Sequence, residues 1–190
     1  MAEPQGKYIS HIQYLEAEEY AEYKSEYYHG ELFAMTGASF HHNVIATNIT
    51  AELHSLLRDS DCFVFGSDMK VQIEEALHYT YPDVSIVCGD TAFAENRNDT
   101  VTNPLVIIEI LSASTGDYDR GGKFRAYRSI ASLKEYILAD QYSCHIEYFF
   151  KNEKGQWVLD EFDSIDDVLT IRSVRVQLPL KSVYHRVEFR

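Results

Sequence analysis

Two carboxylates stand inside segments whose other residues ask for a dry interior. Asp83 opens Asp83-Val84-Ser85-Ile86-Val87-Cys88 directly after Pro82, and Glu109 interrupts Leu105-Val106-Ile107-Ile108-Glu109-Ile110-Leu111. An ionised acid in such a run is costly to bury unless a cation or a hydrogen-bond network compensates it. In extended chain the side chains alternate, so Asp83, Ser85 and Val87 share one side, and Leu105, Ile107, Glu109 and Leu111 share another. Were the two segments antiparallel neighbours, the start of one would meet the end of the other and the acids would converge. Two converging carboxylates suit Mg2+ or Mn2+, hard ions that keep several waters and take a phosphate oxygen. Such an ion lowers the pKa of a bound water and stabilises charge on a phosphodiester under attack, and a nearby lysine adds to that stabilisation. The chemistry expected is phosphodiester hydrolysis.

The segments around these acids supply the positioning elements. Ser10 can cap a helix through Ile12, Leu15 and Glu19, and a hairpin is expected at His29-Gly30, joining Tyr27-Tyr28 to Leu32–Met35. Ser39 begins the strongest helical pattern, with Val44, Ile45, Ile49, Leu53, Leu56 and Leu57 at helical spacing. Strands are expected at 62–65, 69–73, 84–87, 105–111, 135–139, 145–150 and 157–162. The polar stretch 92–103 reads as a surface loop, and residues 171–190 as one short strand and a short helix. A helix over 119–130 carries Phe124, Tyr127 and Ile130 as its buried stripe, which lets Lys123 point inward. Gly121 and Gly122 weaken that helix and invite either a close approach or a flexible loop.

Composition bounds the reading. The chain has 190 residues, 45% of them hydrophobic, four prolines and nine glycines, which suits one domain over residues 1–190. The N-terminal heptapeptide has no apolar signal core and the apolar runs are strand length, so a cytoplasmic protein without membrane spans is expected. Cys62, Cys88 and Cys144 show no metal spacing, and reduced core cysteines are expected rather than a disulfide. A formal net charge of -13 disfavours long-range attraction to nucleic acid. Basic residues nevertheless gather at Arg120, Lys123, Arg125, Arg128 and Lys134, leaving a local basic patch or an ordinary solvated helix face as readings. The tyrosines and phenylalanines are read as core and sheet residues rather than base-stacking platforms. No serine or cysteine sits in a recognisable nucleophile elbow.

Pro82-Asp83 followed 26 positions later by Glu109 resembles the PD-(D/E)XK motif of restriction-endonuclease-like nucleases. The ordered set Gly30-Glu31, Met35, His42-Asn43, Pro82-Asp83, Glu109-Ile110-Leu111-Ser112 and Asp119-Arg120-Gly121-Gly122-Lys123-Phe124 more specifically resembles the Uma-type family of bacterial endonucleases. The resemblance implies an α/β fold with a central mixed β-sheet flanked by α-helices, and a Mg2+- or Mn2+-dependent endonuclease acting on DNA. Asp83 and Glu109 would then be metal ligands and Lys123 the catalytic amine. Glu31 and His42 would support the site, Lys70 would be the second candidate amine, and Arg120 and Arg125 would contact substrate. Homodimerisation is expected because cutting two strands usually takes two sites. This chain departs from the superfamily at Leu111, which occupies the slot of the lysine two positions after the acid, and at Ala113, where the family commonly has proline. The alternative is a noncatalytic nucleic-acid- or protein-binding module that keeps the nuclease fold.

Overall fold

The computed structural model describes residues 8–74 and 77–189. The heptapeptide read for a signal core lies outside the described residues, as does Arg190. The chain opens with α1 (His11–Glu18), whose first turn is closed by a reciprocal cap: the Gln13 N–H donates to Ser10 Oγ at 3.2 Å and the Ser10 N–H donates to Gln13 Oε1 at 3.0 Å. The hairpin β1 (Ser25–Tyr28) and β2 (Glu31–Ala34) follows, turning at His29 and Gly30 through positive φ at both residues. α2 (Phe40–Leu56) is capped by Ser39 and buries Ile45, Ile49 and Leu53, the four-residue spacing that puts them on one stripe. Then come β3 (Cys62–Gly66), β4 (Lys70–Glu74), β5 (His78–Thr80), β6 (Val84–Cys88), β7 (Thr100–Val101) and β8 (Val106–Leu111).

A helical segment follows β8 in three continuous pieces: α3 (Gly116–Tyr118), a π-helical turn (Asp119–Lys123) and α4 (Phe124–Tyr127). It starts three residues before the helix expected from the sequence, and its centre is wound more loosely around Gly121 and Gly122. The chain ends with β9 (Glu135–Asp140), β10 (Ile146–Lys151), β11 (Trp157–Phe162), β12 (Val168–Ile171), β13 (Val176–Pro179) and α5 (Leu180–Val183). The tail from Ile171 thus holds the expected short strand, β13, and short helix, α5, while β12, which pairs with β13 and ends at Ile171, was not anticipated.

The strands form mixed sheets with flanking helices, an α/β architecture. The central mixed sheet is six-stranded, β11-β10-β9-β8-β6-β3, and is accompanied by a five-stranded sheet, β2-β1-β5-β4-β7, and the two-stranded β12-β13. The chain crosses from the five-stranded to the six-stranded sheet between β5 and β6, at Tyr81-Pro82-Asp83. Pro82 has no N–H to give a ladder, so the strand cannot run through it. β5 itself was not anticipated, since three residues are too few to show a period. The same holds for β7: the 92–103 stretch is mostly loop, but Thr100 and Val101 are buried and pair in parallel with Lys70 and Val71 of β4.

The six-stranded sheet is covered on both faces, which is why all six residues of β8 are buried. Val106, Ile108 and Ile110 pack with Ile45, Ile49 and Leu53 of α2 and with the β12-β13 hairpin. Ile107 and Leu111 turn the other way, against Phe124, Tyr127 and Val71. β6 is antiparallel to β8 and β8 is parallel to β9. The expectation of three reduced cysteines fails at β3 and β6. Cys62 and Cys88 face each other in the register and form a disulfide, 26 residues apart in sequence, while Cys144 is free. No local signal marks that pairing, because it depends on strand register alone.

Candidate active site

Asp83 and Glu109 meet where the two larger sheets join. The register that pairs Val84 with Ile108 puts Asp83 opposite Glu109, one step beyond the last paired residue of β6. The Ile110 N–H donates to Asp83 Oδ2 at 2.8 Å, and the Asp83 N–H donates to Glu109 Oε2 at 3.3 Å. Each carboxylate is thus held by the backbone of the other's strand. Two further side chains hold Glu109 from the helical segment: Lys123 Nζ lies 2.9 Å from Oε1, and the Tyr127 hydroxyl donates to the same oxygen at 2.9 Å. Tyr127 is itself linked to Thr80 of β5 across 3.0 Å.

Lys123 is the charge centre of the cluster. Besides Glu109 it contacts Glu26 of β1 at 3.0 Å and Asp119, one turn earlier, at 3.8 Å. The Tyr81 N–H donates to Glu26 at 3.3 Å, fastening that acid to the link between the sheets. Glu109 is 4% exposed and Lys123 6%, so these charges interact with little solvent screening. Burial pushes the Glu109 carboxyl up to about 8 against the pull of Lys123, with Asp83, Asp119 and Glu26 adding to the rise. Burial also raises Asp119 above the usual carboxylate range, again opposed by Lys123. Burial disfavours the Lys123 ammonium, yet Glu109, Glu26 and Asp119 outweigh it and hold the amine well above an ordinary lysine. One ammonium cannot neutralise four acids; the surplus is relieved by a proton on Glu109 or by an added cation.

The sequence-derived candidates sort by position. Asp83, Glu109 and Lys123 are brought together, and His42 joins them, its Nε2 lying 3.1 Å from Asp83 Oδ2 while its Nδ1 is buried without a partner among the described residues. Glu31 is exposed on β2, and the acid that reaches Lys123 from that hairpin is Glu26 instead. Lys70 is buried against Asp99 at 3.0 Å rather than against the paired acids. Arg120 pairs with Glu147 at 2.6 Å, and Arg125 is exposed. Leu111, in the superfamily's lysine slot, is buried among Ile107, Phe124 and Leu138. Three contributors were missed from the sequence: Glu26, Asp119 and Tyr127. Asp119 and Lys123 share a four-residue spacing that could have flagged them, whereas Glu26 carries no local signal.

Among the described residues, no three His, Cys, Asp or Glu side chains form a ready-made metal cage. What the cluster offers is two adjacent carboxylates with surplus negative charge. Both protein contacts to the Asp83 carboxylate go to Oδ2. That donor set fits Mg2+, which is usually bound by one or two carboxylates with water and phosphate completing its shell.

Comparison with known proteins places this geometry in context. A family model described as Uma2, "Putative restriction endonuclease", matches residues 12–181. Two uncharacterized proteins of Synechocystis sp. (strain ATCC 27184 / PCC 6803 / Kazusa) are similar over most of their length. One is 34% identical over 183 residues, 95% of this chain and 94% of the relative. The other is 38% identical over 155 residues, 82% of this chain and 88% of the relative. Among solved structures, one described as a "putative nuclease belonging to DUF820" from Anabaena variabilis ATCC 29413 superposes with a TM-score of 0.76 at 18% identity, covering 93% of this chain and 97% of that one. At that identity the likeness is one of fold.

Proposed function

The chain belongs to the Uma2 restriction-endonuclease family, and on that premise we propose that it is a divalent-metal-dependent endonuclease acting on DNA phosphodiesters. Asp83 and Glu109 would hold Mg2+ or Mn2+, which when bound supplies an activated water and neutralises charge on the phosphate. Lys123 takes the place left apolar at Leu111: its ammonium reaches Glu109 from the following helical segment, where it can orient the nucleophile and offset developing charge. Tyr127 and the Ile110 amide hold the two carboxylates in place. The observation that supports this reading above others is the reciprocal pairing of Asp83 and Glu109 with an ammonium at 2.9 Å. We further propose a homodimer as the state that cuts both strands.

The test is nicking of supercoiled plasmid in Mg2+ or Mn2+ by the full chain and by Asp83→Ala and Glu109→Ala. The reading requires loss of nicking in both variants with circular dichroism and melting unchanged in kind; nicking retained in both refutes it. The competing reading is a binding module that keeps the fold, favoured by the net charge of -13 and by the absence of a third converging metal donor among the described residues. Isothermal titration separates the two, because a chain that takes up neither ion is the module.

A further inference from the structure

The outermost strand of the five-stranded sheet is β2, and all four of its residues are exposed, Leu32 at 41% and Phe33 at 50%. The Met35 N–H donates to the Lys24 carbonyl at 2.9 Å, which makes Lys24 and Met35 a hydrogen-bonded pair of the hairpin. By the alternation of an antiparallel ladder, Glu26 with Phe33 and Tyr28 with Glu31 are the other such pairs. Leu32 and Ala34 therefore turn their N–H and C=O groups away from β1, and among the described residues these groups take no partner. The strand carries none of the devices that blunt an edge: it has no proline, lysine or bulge, and its one charge is Glu31 at the start.

A second copy of β2 matches this edge by symmetry. Two identical strands related by a twofold axis across their shared edge run antiparallel, and only residues with outward groups can exchange hydrogen bonds. With Phe33 on the axis, Leu32 pairs with the copy's Ala34 and Ala34 with the copy's Leu32, so every outward N–H and C=O of both strands is satisfied. Phe33 then faces its own counterpart as a close aromatic pair, and Glu31 lies opposite Met35 rather than another acid. Moving the axis to Leu32 would pair Ala34 with Gly30, whose carbonyl already accepts the Ile9 N–H at 3.1 Å. Moving it to Glu31 would set two carboxylates face to face.

We propose that β2 is the homodimer interface, joining two five-stranded sheets into one of ten strands with Phe33 at the twofold axis. A second copy is selected over a foreign strand by where the acid clusters then fall. Phe33 is opposite Glu26, the acid that reaches Lys123, so both side chains leave the same face of the sheet. Glu26, Phe33, the copy's Phe33 and the copy's Glu26 form one row across the joined sheet, with the two Glu26 Cα atoms about 15 Å apart. The axis stands perpendicular to the sheet, so both clusters lie on one face, as an enzyme that cuts both strands of one duplex needs. The other uncharged edge of comparable length, β3, does not achieve this. Asp83 lies across the ladder just beyond Gly66, the last residue of β3, and antiparallel self-pairing there sends the two clusters to opposite ends.

The inference rests on the nuclease reading for its choice of edge but is tested by mass, without cleavage. Sedimentation velocity of the full chain at micromolar concentration should give twice the mass of one chain. Leu32→Pro removes only an outward N–H and leaves the hydrogen bonds to β1 intact, and Phe33→Lys sets two ammonium groups face to face on the axis. Both variants should sediment as monomers with the circular dichroism of wild type. Phe33→Cys, made with Cys144→Ser to remove the free thiol, should cross-link into a covalent dimer on mild oxidation, whereas Glu31→Cys, off the axis, should not. A monomeric wild type, a dimer that persists in both Leu32→Pro and Phe33→Lys, or equal cross-linking at positions 31 and 33 overturns the proposal. A dimer in Asp83→Ala supports the interface whether or not that variant nicks, which keeps the two readings separable.

Discussion

Asp83 and Glu109 face each other across β6 and β8, and each carboxylate accepts a backbone N–H from the other's strand. The acids are therefore positioned by backbone N–H groups at the junction of the two strands, with Lys123 and Tyr127 delivered to Glu109 by the helical segment that follows. Substitutions at the cluster should separate charge from packing.

Lys123→Met removes the ammonium that three acids share and leaves Glu26 and Asp119 uncompensated, Glu109 being able to take a proton. We expect a loss of about 3–5 kcal/mol in urea unfolding at pH 7. Adding Glu26→Gln to it should recover part of that loss, because it removes one of the stranded charges.

Tyr127→Phe keeps the ring but deletes the hydroxyl that donates to Glu109 and links to Thr80. The expected cost is about 1–3 kcal/mol, the range for losing a buried hydrogen bond to a charged or polar partner. Equilibrium denaturation reads it directly, and an unchanged midpoint would mean the contact contributes nothing.

His42 contacts Asp83 from the first turn of α2 and would act on the proposed metal through that acid. His42→Ala should weaken Mn2+ binding by about 10- to 100-fold in calorimetry, the usual effect of removing a group that orients a ligand. His42→Gln, which can place a nitrogen near the same point, should recover most of it.

His78 gives a pH signature. It is buried at 1% exposure with neither ring nitrogen paired among the described residues, and burial, helped by Lys123 and His29, lowers its pKa to about 4. Unfolded chains take up a proton near the ordinary value of about 6.5, which the folded ring refuses until about 4. The neutral ring's contribution is thus present above about 6.5 and lost as pH falls towards 4, up to roughly 3 kcal/mol. Melting temperatures of wild type and His78→Phe between pH 7 and pH 4 should diverge by this slope, steeper in wild type.

The Cys62–Cys88 bridge closes a span of 26 residues. Oxidised protein should show a single free thiol, Cys144, and Cys62→Ser with Cys88→Ser should lower unfolding stability by about 3–4 kcal/mol. Two further titratable thiols in native, unreduced protein would count against the bridge.

The elements around the site were largely legible in the sequence because their signals are local. The four-residue recurrence of Ile45, Ile49 and Leu53 marks α2 and its buried stripe, and the alternation in Leu105–Leu111 puts Ile107 and Leu111 on one face with Glu109, as found. Serines at 10 and 39 announce the helix starts. Elements of two or three residues, β5 and β7, exist only through their partners and show no period. The same limit hid the helical segment's early start at Gly116 and the loose winding at Gly121-Gly122, which follow from packing rather than propensity.

What the sequence determined by itself was the longer strands and helices, the face on which each acid emerges, and the cost of burying Glu109 without a cation. Tertiary structure alone decided the rest: that β6 lies antiparallel to β8, that Pro82 splits the sheet so that β1 brings Glu26 to Lys123, and that Cys62 meets Cys88. The reason is physical. Periodicity is set by bonds between neighbouring residues and is written in the chain, whereas strand partnership is a choice among distant segments, made by the burial and hydrogen bonding of the whole.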